Sequence, residues 1–473
     1  MKTGLFCCGK LAQKAGDAMQ EQKLIELTWE SKDRNHSEPI PEFRELERVN
    51  INPFIGTQSY YQQAEIFAPP EAIQNTFCLG DNLAFMRNPS LWAGYPRVDL
   101  IYIDPPYMTD IAYNSSINIG SGPDQHPVVR PAFHDRWTAG LTSYLDMLYP
   151  RLAAMKEMLS EEGSIFVHVD WHASHYVRVL LDEIFGMDHF INEIAWCFGG
   201  GGNSRRHFHR KHDSILWYAR TLEYIYNPQY RPYTQGTVER GLTRVKGDRY
   251  QLHQDGALMQ DWWTDINKIL SPTAHENLKY PTQKPKQLLK RLVEAASRPG
   301  SLVADFFSGS GTLAEVCNQT GRRWLLCDNS PLGLQTTMYR LIRNGSSPFT
   351  IIVPDQYESP PGGEIVLKKP RLSSFDQGYV LVDLGIDDYR PFNIEPQLQR
   401  QHCSDYIEFW EIDLDYQGIF NSCCQVIREK NRFQGPLTLD ILVRVEAGRS
   451  RQIAIKVWDV WANQTMGVVD IKA

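Results

Sequence analysis

Short runs of apolar residues, polar on neither face, alternate along the middle of the chain with segments of helical period. "NTFCLGD" (75–81), "VDLIYID" (98–104), "GSIFVHVD" (163–170), "SLVADFF" (301–307) and "RRWLLCD" (322–328) predict strands buried on both sides. "NEIAWCF" (192–198) and "HDSILWYA" (212–219) predict two more. Between them "NLAFMRNPSLW" (82–92), "YLDMLYPRLAAMKEML" (144–159), "HYVRVLLDEIFG" (175–186) and "PKQLLKRLVEAAS" (285–297) space apolar residues as helices do, and a further helix follows the glycine loop at 308–311. This alternation predicts an α/β fold with a doubly wound, mostly parallel sheet. Residues 1–70 are polar and irregular, an N-terminal extension with a short helix near 10–27. A Gly/Ser/Asn-rich stretch at 114–127 is expected to be a mobile loop, and 351–376 a linker. Beyond it the period drops to two. Ile412, Leu414 and Tyr416 alternate with Asp413 and Asp415, and Ile453, Ile455 and Val457 with Ala454, Lys456 and Trp458. A small antiparallel, all-β C-terminal domain is expected over 377–473, leaving 71–350 as the α/β domain. The acids of "EIDLD" are expected on a solvated strand face.

The chain has 473 residues, 42% of them hydrophobic, enough for two or three domains. It contains no run of about 18 apolar residues, so no membrane span is expected, and "MKTGLFCCGK" is too weakly apolar for a signal peptide. Nine cysteines without metal-type or redox-type spacing suit a reducing cytoplasm. The net charge of −7 is unevenly placed: residues 201–300 hold 17 Lys/Arg against 9 Asp/Glu. One basic face on an acidic protein is the footprint of a nucleic-acid binder. His207, His209 and His212 lie in "RRHFHRKH" but are expected to flank phosphate contacts, and no metal is expected.

Two motifs carry the chemistry. "DFFSGSGTLAEVC" (305–317) places Gly309-x-Gly311-x-x-Ala314 between a strand and a helix. Glycines there let the backbone approach a ligand closely. Asp328, ending the next strand, suits ribose hydroxyls. Asp305 would repel a pyrophosphate but suits the ammonium and sulfonium of S-adenosyl-L-methionine, so the loop alone leaves a dinucleotide and adenosylmethionine both open. The second motif is Asp104-Pro105-Pro106-Tyr107, at the end of a strand that the prolines must terminate. The lone pair of an aromatic amine is delocalised into its ring. Methylating it requires acceptors that hold the amino protons and turn the nitrogen toward tetrahedral geometry. The Asp104 carboxylate and the Pro105 carbonyl are two such acceptors, Pro106 keeps that carbonyl fixed, and Tyr107 offers a ring on which a base stacks.

Together these residues resemble the β class of amino DNA methyltransferases, similar to the modification subunits of type III restriction systems, over roughly residues 71–350. In that class the catalytic tetrapeptide precedes the glycine loop, as 104 precedes 309 here. The resemblance implies Asp104, Pro105, Pro106 and Tyr107 as catalytic. It implies Asp81, Asn82, Lys284, Asp305, Phe307, Ser308, Gly309, Gly311, Thr312 and Asp328 as binding S-adenosyl-L-methionine, with Asp81 in "GDN", Lys284 in "YPTQKP" near the methionine carboxylate, and Asp328 on the ribose. Asp81 could equally cap the next helix, and Phe306 stands where the family commonly has proline. It implies transfer to adenine N6 in double-stranded DNA after base flipping, with the loop at 114–127 closing over the base. Cytosine N4, or a specificity subunit directing a nuclease, are the alternatives. Residues 219–278 fall where the family keeps its target-recognition region. Arg205, Arg206, Arg210, Lys211, Arg231, Arg240, Arg244, Lys246 and Arg249 are the expected DNA contacts. A homodimer, a helicase–nuclease partner from another chain and a role in restriction–modification are left open.

Overall fold

The structure is a computed structural model. It describes residues 26–32, 39–55, 75–92, 95–120, 125–201, 204–241, 252–271, 274–359, 362–376, 378–392, 394–395, 398, 402–428, 432–433 and 435–472. The short helix expected near 10–27 lies almost wholly outside them.

Six strands run parallel through the middle of an eleven-stranded sheet, in the order Leu159–Val169, Val98–Ile103, Leu302–Asp305, Arg323–Asp328, Asn75–Leu79 and Phe349–Pro354. Antiparallel His212–Ala219 and then Phe190–Cys197 extend one side. Leu100, Ile101, Val303, Ala304, Leu325 and Phe77 are buried, and helices such as Leu141–Met158, Ser174–Phe185 and Lys286–Ala296 bury their apolar stripes against the sheet. The doubly wound parallel architecture is as the periodicity predicts. Four neighbouring parallel strands end in or just before an acid, namely Asp104, Asp305, Asp328 and Asp81. They share the edge where open α/β sheets bind ligands.

Three expectations change. Of the stretch expected to be a mobile loop, residues 114–119 and 126–127 are strand, and 121–124 lie outside the described residues. Ile111–Ile119 and His126–Asp135 pair as an antiparallel hairpin. Its Ile117, Ile119 and Val128 enter the core of the C-terminal β region. Its polar residues alternate with these, a strand pattern that the glycines and serines disguise. The expected linker is also structured: Phe349–Pro354 belongs to the large sheet, and Gly363–Leu367 and Arg371–Asp376 both pair with Tyr379–Pro391. Within the N-terminal extension, Phe43–Val49 joins the large sheet between Phe349–Pro354 and Phe420–Ser422.

The C-terminal region is built from β-sheets, as expected. A four-stranded sheet and a five-stranded sheet share a core that includes Val382, Ile386, Val443, Trp410, Ile455 and Val457. The acids of Ile407–Asp413 are not solvated, however. Glu408, Glu411 and Asp413 are buried because the α/β domain covers that face. Glu408 pairs with Arg130 of the hairpin and with Arg432, while Lys456 bridges Glu411 and Glu47. Removing one partner from such a cluster leaves an uncompensated buried charge, which typically costs about 3–5 kcal/mol.

Candidate active site

The Asp104–Tyr107 motif, expected to be catalytic, sits where the Val98–Ile103 strand ends, and both oxygens of Asp104 are engaged. The Tyr107 hydroxyl donates to Oδ1, and Lys284 Nζ donates to Oδ2. Lys284 is 9% exposed and its Nζ also lies 5.4 Å from the Tyr107 ring centroid. The lysine expected near a cofactor carboxylate is therefore paired with Asp104, the acid expected to be catalytic.

The backbone after Tyr107 is tied by a residue that the sequence did not single out. Asp135, at the end of the hairpin, accepts from the amides of Tyr107 (3.1 Å), Met108 (2.9 Å) and Thr109 (2.9 Å). The Thr109 hydroxyl (2.7 Å) and Trp137 Nε1 (2.8 Å) also donate to it. Such a carboxylate stands in for the missing ladder and allows Met108 and Asp110 their positive φ of 64° and 59°. A lone acid before Arg-Trp gives no sequence signal of this role.

Behind Tyr107 lies a buried network. The His168 ring stacks on Tyr107 at 6.1 Å between centroids, accepts or donates at Nδ1 with the Tyr102 hydroxyl (2.9 Å), and reaches Asp213 through Nε2 (3.3 Å). Burial and the neighbouring Lys284 charge hold His168 below its ordinary range. Burial opposes ionisation of Asp213, but the His168 hydrogen bond and the charges of Lys268 and Lys284 prevail and bring its carboxyl down to about 2.

The glycine loop shows which ligand it suits. Phe307 N–H donates to Asp305 (3.0 Å) and Gly309 N–H to Asp328 (2.7 Å). Ser308 N–H donates to the Cys327 carbonyl (3.1 Å) and Gly311 N–H to the Ser308 carbonyl (2.9 Å). These amides are spent inside the protein and do not form the phosphate cradle of a dinucleotide site. Burial pushes the carboxyls of both Asp305 and Asp328 upward. Buried acids of this kind gain from a cationic ligand and lose from an anionic one. Ser308 Oγ is buried without a hydrogen-bond partner among the described residues. Gly311, at φ 68°, leaves no room for a side chain, since a Cβ would lie 2.4 Å from Thr337 Oγ1.

Asp81 caps the helix Asn82–Arg87 by accepting from Ala84 N–H (2.8 Å), and it pairs with Arg151. Asn82 donates to the Phe306 carbonyl (2.6 Å) and accepts from Arg151 (2.6 Å). Phe306 itself is buried, so the departure from proline is absorbed by packing. One cavity of about 560 Å³ is lined by Asp104, Tyr107, Lys284, Asp305, Ser308 and Asp328. Asp81, Asn82, Pro105, Pro106, Phe307, Gly309 and Thr312 also line it; Gly311 does not. The volume falls in the range of small-molecule sites.

The basic residues are less concentrated. Arg205, Arg206 and Arg210 are exposed on the 199–211 loop, and Arg210 lies over the Trp171 ring at 3.8 Å. Lys211 donates to the Gly200 carbonyl, and Arg231 to Gln260 (2.5 Å). Arg240 falls in the helix Gln235–Gly241, while Arg244, Lys246 and Arg249 lie outside the described residues. No group of three metal-ligating side chains occurs among the described residues, and none of their helices is long and apolar enough to cross a membrane.

A family model described as DNA methylase matches residues 98–336, half of the chain. The chain belongs to the DNA methylase family. Its members act on N6 or N4 amino groups, and the methyl donor is S-adenosyl-L-methionine, which the buried acids and spent loop amides suit. The methylase is 27% identical over 329 residues to the type II methyltransferase M.EcaI of Enterobacter cloacae, covering 57% of this chain and 69% of that one. It is 25% identical over 231 residues to the DNA adenine methyltransferase YhdJ of Escherichia coli, covering 48% and 70%. Against the type III StyLTI Mod subunit of Salmonella typhimurium the identity is 24%, covering 51% and 49%. Among solved structures, the M1.HpyAVI–SAM complex aligns with a TM-score of 0.37 at 17% identity, over 57% of this chain and 98% of that one.

Proposed function

We propose that the methylase transfers a methyl group to the exocyclic N6 of adenine in duplex DNA, after the base has left the stack. The observation that carries it is an aspartate at 104, on the wall of the cavity that the glycine loop also lines. A carboxylate accepts an amino proton more strongly than a hydroxyl does. The name of the adenine-specific relative YhdJ agrees.

In this proposal the bound cofactor supplies an electrophilic methyl group on sulfonium. Asp104 and the Pro105 carbonyl hold the amino protons and localise the nitrogen lone pair. Tyr107 stacks the base, a contact worth roughly 1–3 kcal/mol by analogy with single-stranded binders. Nitrogen and methyl are held in line, which supplies up to ~7–11 kcal/mol of the barrier. With the cofactor bound, the C–N bond would form as the S–C bond breaks, sulfur keeping the electron pair and the product ammonium releasing a proton. Asp305, Ser308 and Asp328 would hold the cofactor, with Asp81 and Asn82 lining the same cavity. Basic residues of 219–278 and the 199–211 loop contact the duplex.

The test follows labelled methyl into duplex DNA, with nucleoside digestion and mass spectrometry, and Asp104→Ala as the control. N6-methyladenine, lost in the variant, is the expected product. N4-methylcytosine would keep the mechanism and correct the base. A homodimer and a helicase–nuclease partner belong to the same proposal, and light scattering and co-purification test them.

A further inference from the structure

The most exposed large apolar side chain among the described residues is not on the cavity. Phe208 is 99% exposed, against 53% for Trp262 and 42% for Trp171. It stands on a hydrogen-bonded turn rather than against any core. His207 Nδ1 and the Phe208 carbonyl are 2.9 Å apart, His209 Nε2 lies 3.3 Å from the Ser204 carbonyl, and Arg206 N–H donates to Ser204 Oγ at 3.3 Å. Residues 204–211, "SRRHFHRK", hold four Lys/Arg and no acid. An aromatic ring presented bare to water amid cations suits a partner that offers both negative charge and flat apolar faces. Duplex DNA offers phosphates outside and a base stack inside.

The position in the fold points to the target site. The loop joins Phe190–Cys197 to His212–Ala219, whose Ser214 pairs with Val169 at the end of Leu159–Val169. That strand lies beside the one ending at Asp104. Asp213 reaches Tyr107 through His168, at 3.3 Å and then 6.1 Å between rings. Phe208 is five residues before Asp213, within at most about 17 Å of extended chain. Arg210, between them, is fixed over Trp171.

We propose that Phe208 is a wedge that enters the base stack and fills the place left by the extruded target base. Apolar side chains entering a base step are a general device for unstacking DNA. This goes beyond a phosphate contact for the loop, and it rests on the base-extrusion reading above. Phe208 acts on the duplex and not on the reacting atoms, so it is a positioning residue.

The experiment compares kcat/KM on two duplexes carrying the sequence that the enzyme methylates, mapped first on a modified plasmid. One has the target base paired; the other has an abasic site opposite it, which removes most of the extrusion cost. Phe208→Ala is expected to lose about tenfold or more on the paired duplex and to recover to within about threefold of wild type on the abasic one, because extrusion costs least from a disrupted pair. Phe208→Trp is expected to keep activity on both. Cofactor affinity by calorimetry is expected to be unchanged in both variants. An equal loss on the two duplexes, or no loss on either, overturns the wedge. Failure of the wild-type enzyme to methylate either duplex would instead remove the base-extrusion reading itself.

Discussion

Lys284 Nζ and Asp104 Oδ2 form an ion pair across 180 residues of sequence, on the wall of the cavity. With Tyr107 on the other oxygen, the acceptor that an amino group needs is already engaged. On the proposed mechanism, the base would arrive by displacing a donor. Asp104→Asn, which keeps the shape and loses the charge, should lower kcat by about 10²–10³-fold while leaving cofactor binding intact. A double-mutant cycle of Asp104→Asn with Lys284→Met, read by thermal unfolding, should give a coupling of about 1 kcal/mol or more. Additive effects would mean that the pair contributes nothing.

Asp135 gives a second outcome, because it accepts three consecutive amides of the loop that carries Tyr107. Asp135→Ala leaves three amides without their acceptor. The expected result is a fall in kcat of about 10²-fold through misplacement of Tyr107, with the cofactor dissociation constant held within about twofold. Calorimetry beside steady-state kinetics separates the two. A parallel loss of cofactor affinity would assign Asp135 to the cavity as a whole.

Cofactor affinity should depend on pH through Asp305 and Asp328, whose carboxyls burial raises. Each is fully ionised only above its raised value. Attraction for a cationic ligand is therefore present at high pH and lost as pH falls through that value. Binding measured by calorimetry should weaken on acidification from pH 8 toward pH 5, and Asp305→Asn should flatten the curve. A pH-independent wild type would rule these acids out as its counter-charge.

The His168–Asp213 pair predicts acid sensitivity of the fold. Asp213 titrates at about 2 against an ordinary 3.8, so its stabilisation is complete above 3.8 and fades as pH falls toward 2. Burial keeps His168 neutral, and stability declines as pH drops below its ordinary 6.5. Asp213→Asn should cost about 2 kcal/mol at pH 7 and much less near pH 2. Chemical denaturation at both values checks it.

The sequence made some of this legible and hid the rest for physical reasons. Asp104 and the glycine loop stood out because each ends a strand apolar on both faces, a pattern that points to one edge of a parallel sheet. Asp135 did not, because its role is to accept backbone amides 26–28 residues away, and any acid can do that. Glu408 and Glu411 looked solvated because alternation shows which residues share a face, not what covers it. The hairpin was hidden by Gly, Ser and Asn, residues that turns favour but that a separate two-stranded hairpin tolerates.

Arg130 carries a consequence in time. It is buried in the hairpin that ends at Asp135, and its partners are Glu408 and the Val460 carbonyl, more than 270 residues downstream. During synthesis the tetrapeptide, the glycine loop and the cavity lysine all emerge before those partners exist. The hairpin that carries Asp135 gains its packing against the C-terminal strands only when those strands fold. A chain cut short before Glu408 would therefore leave Arg130 without its carboxylate partner.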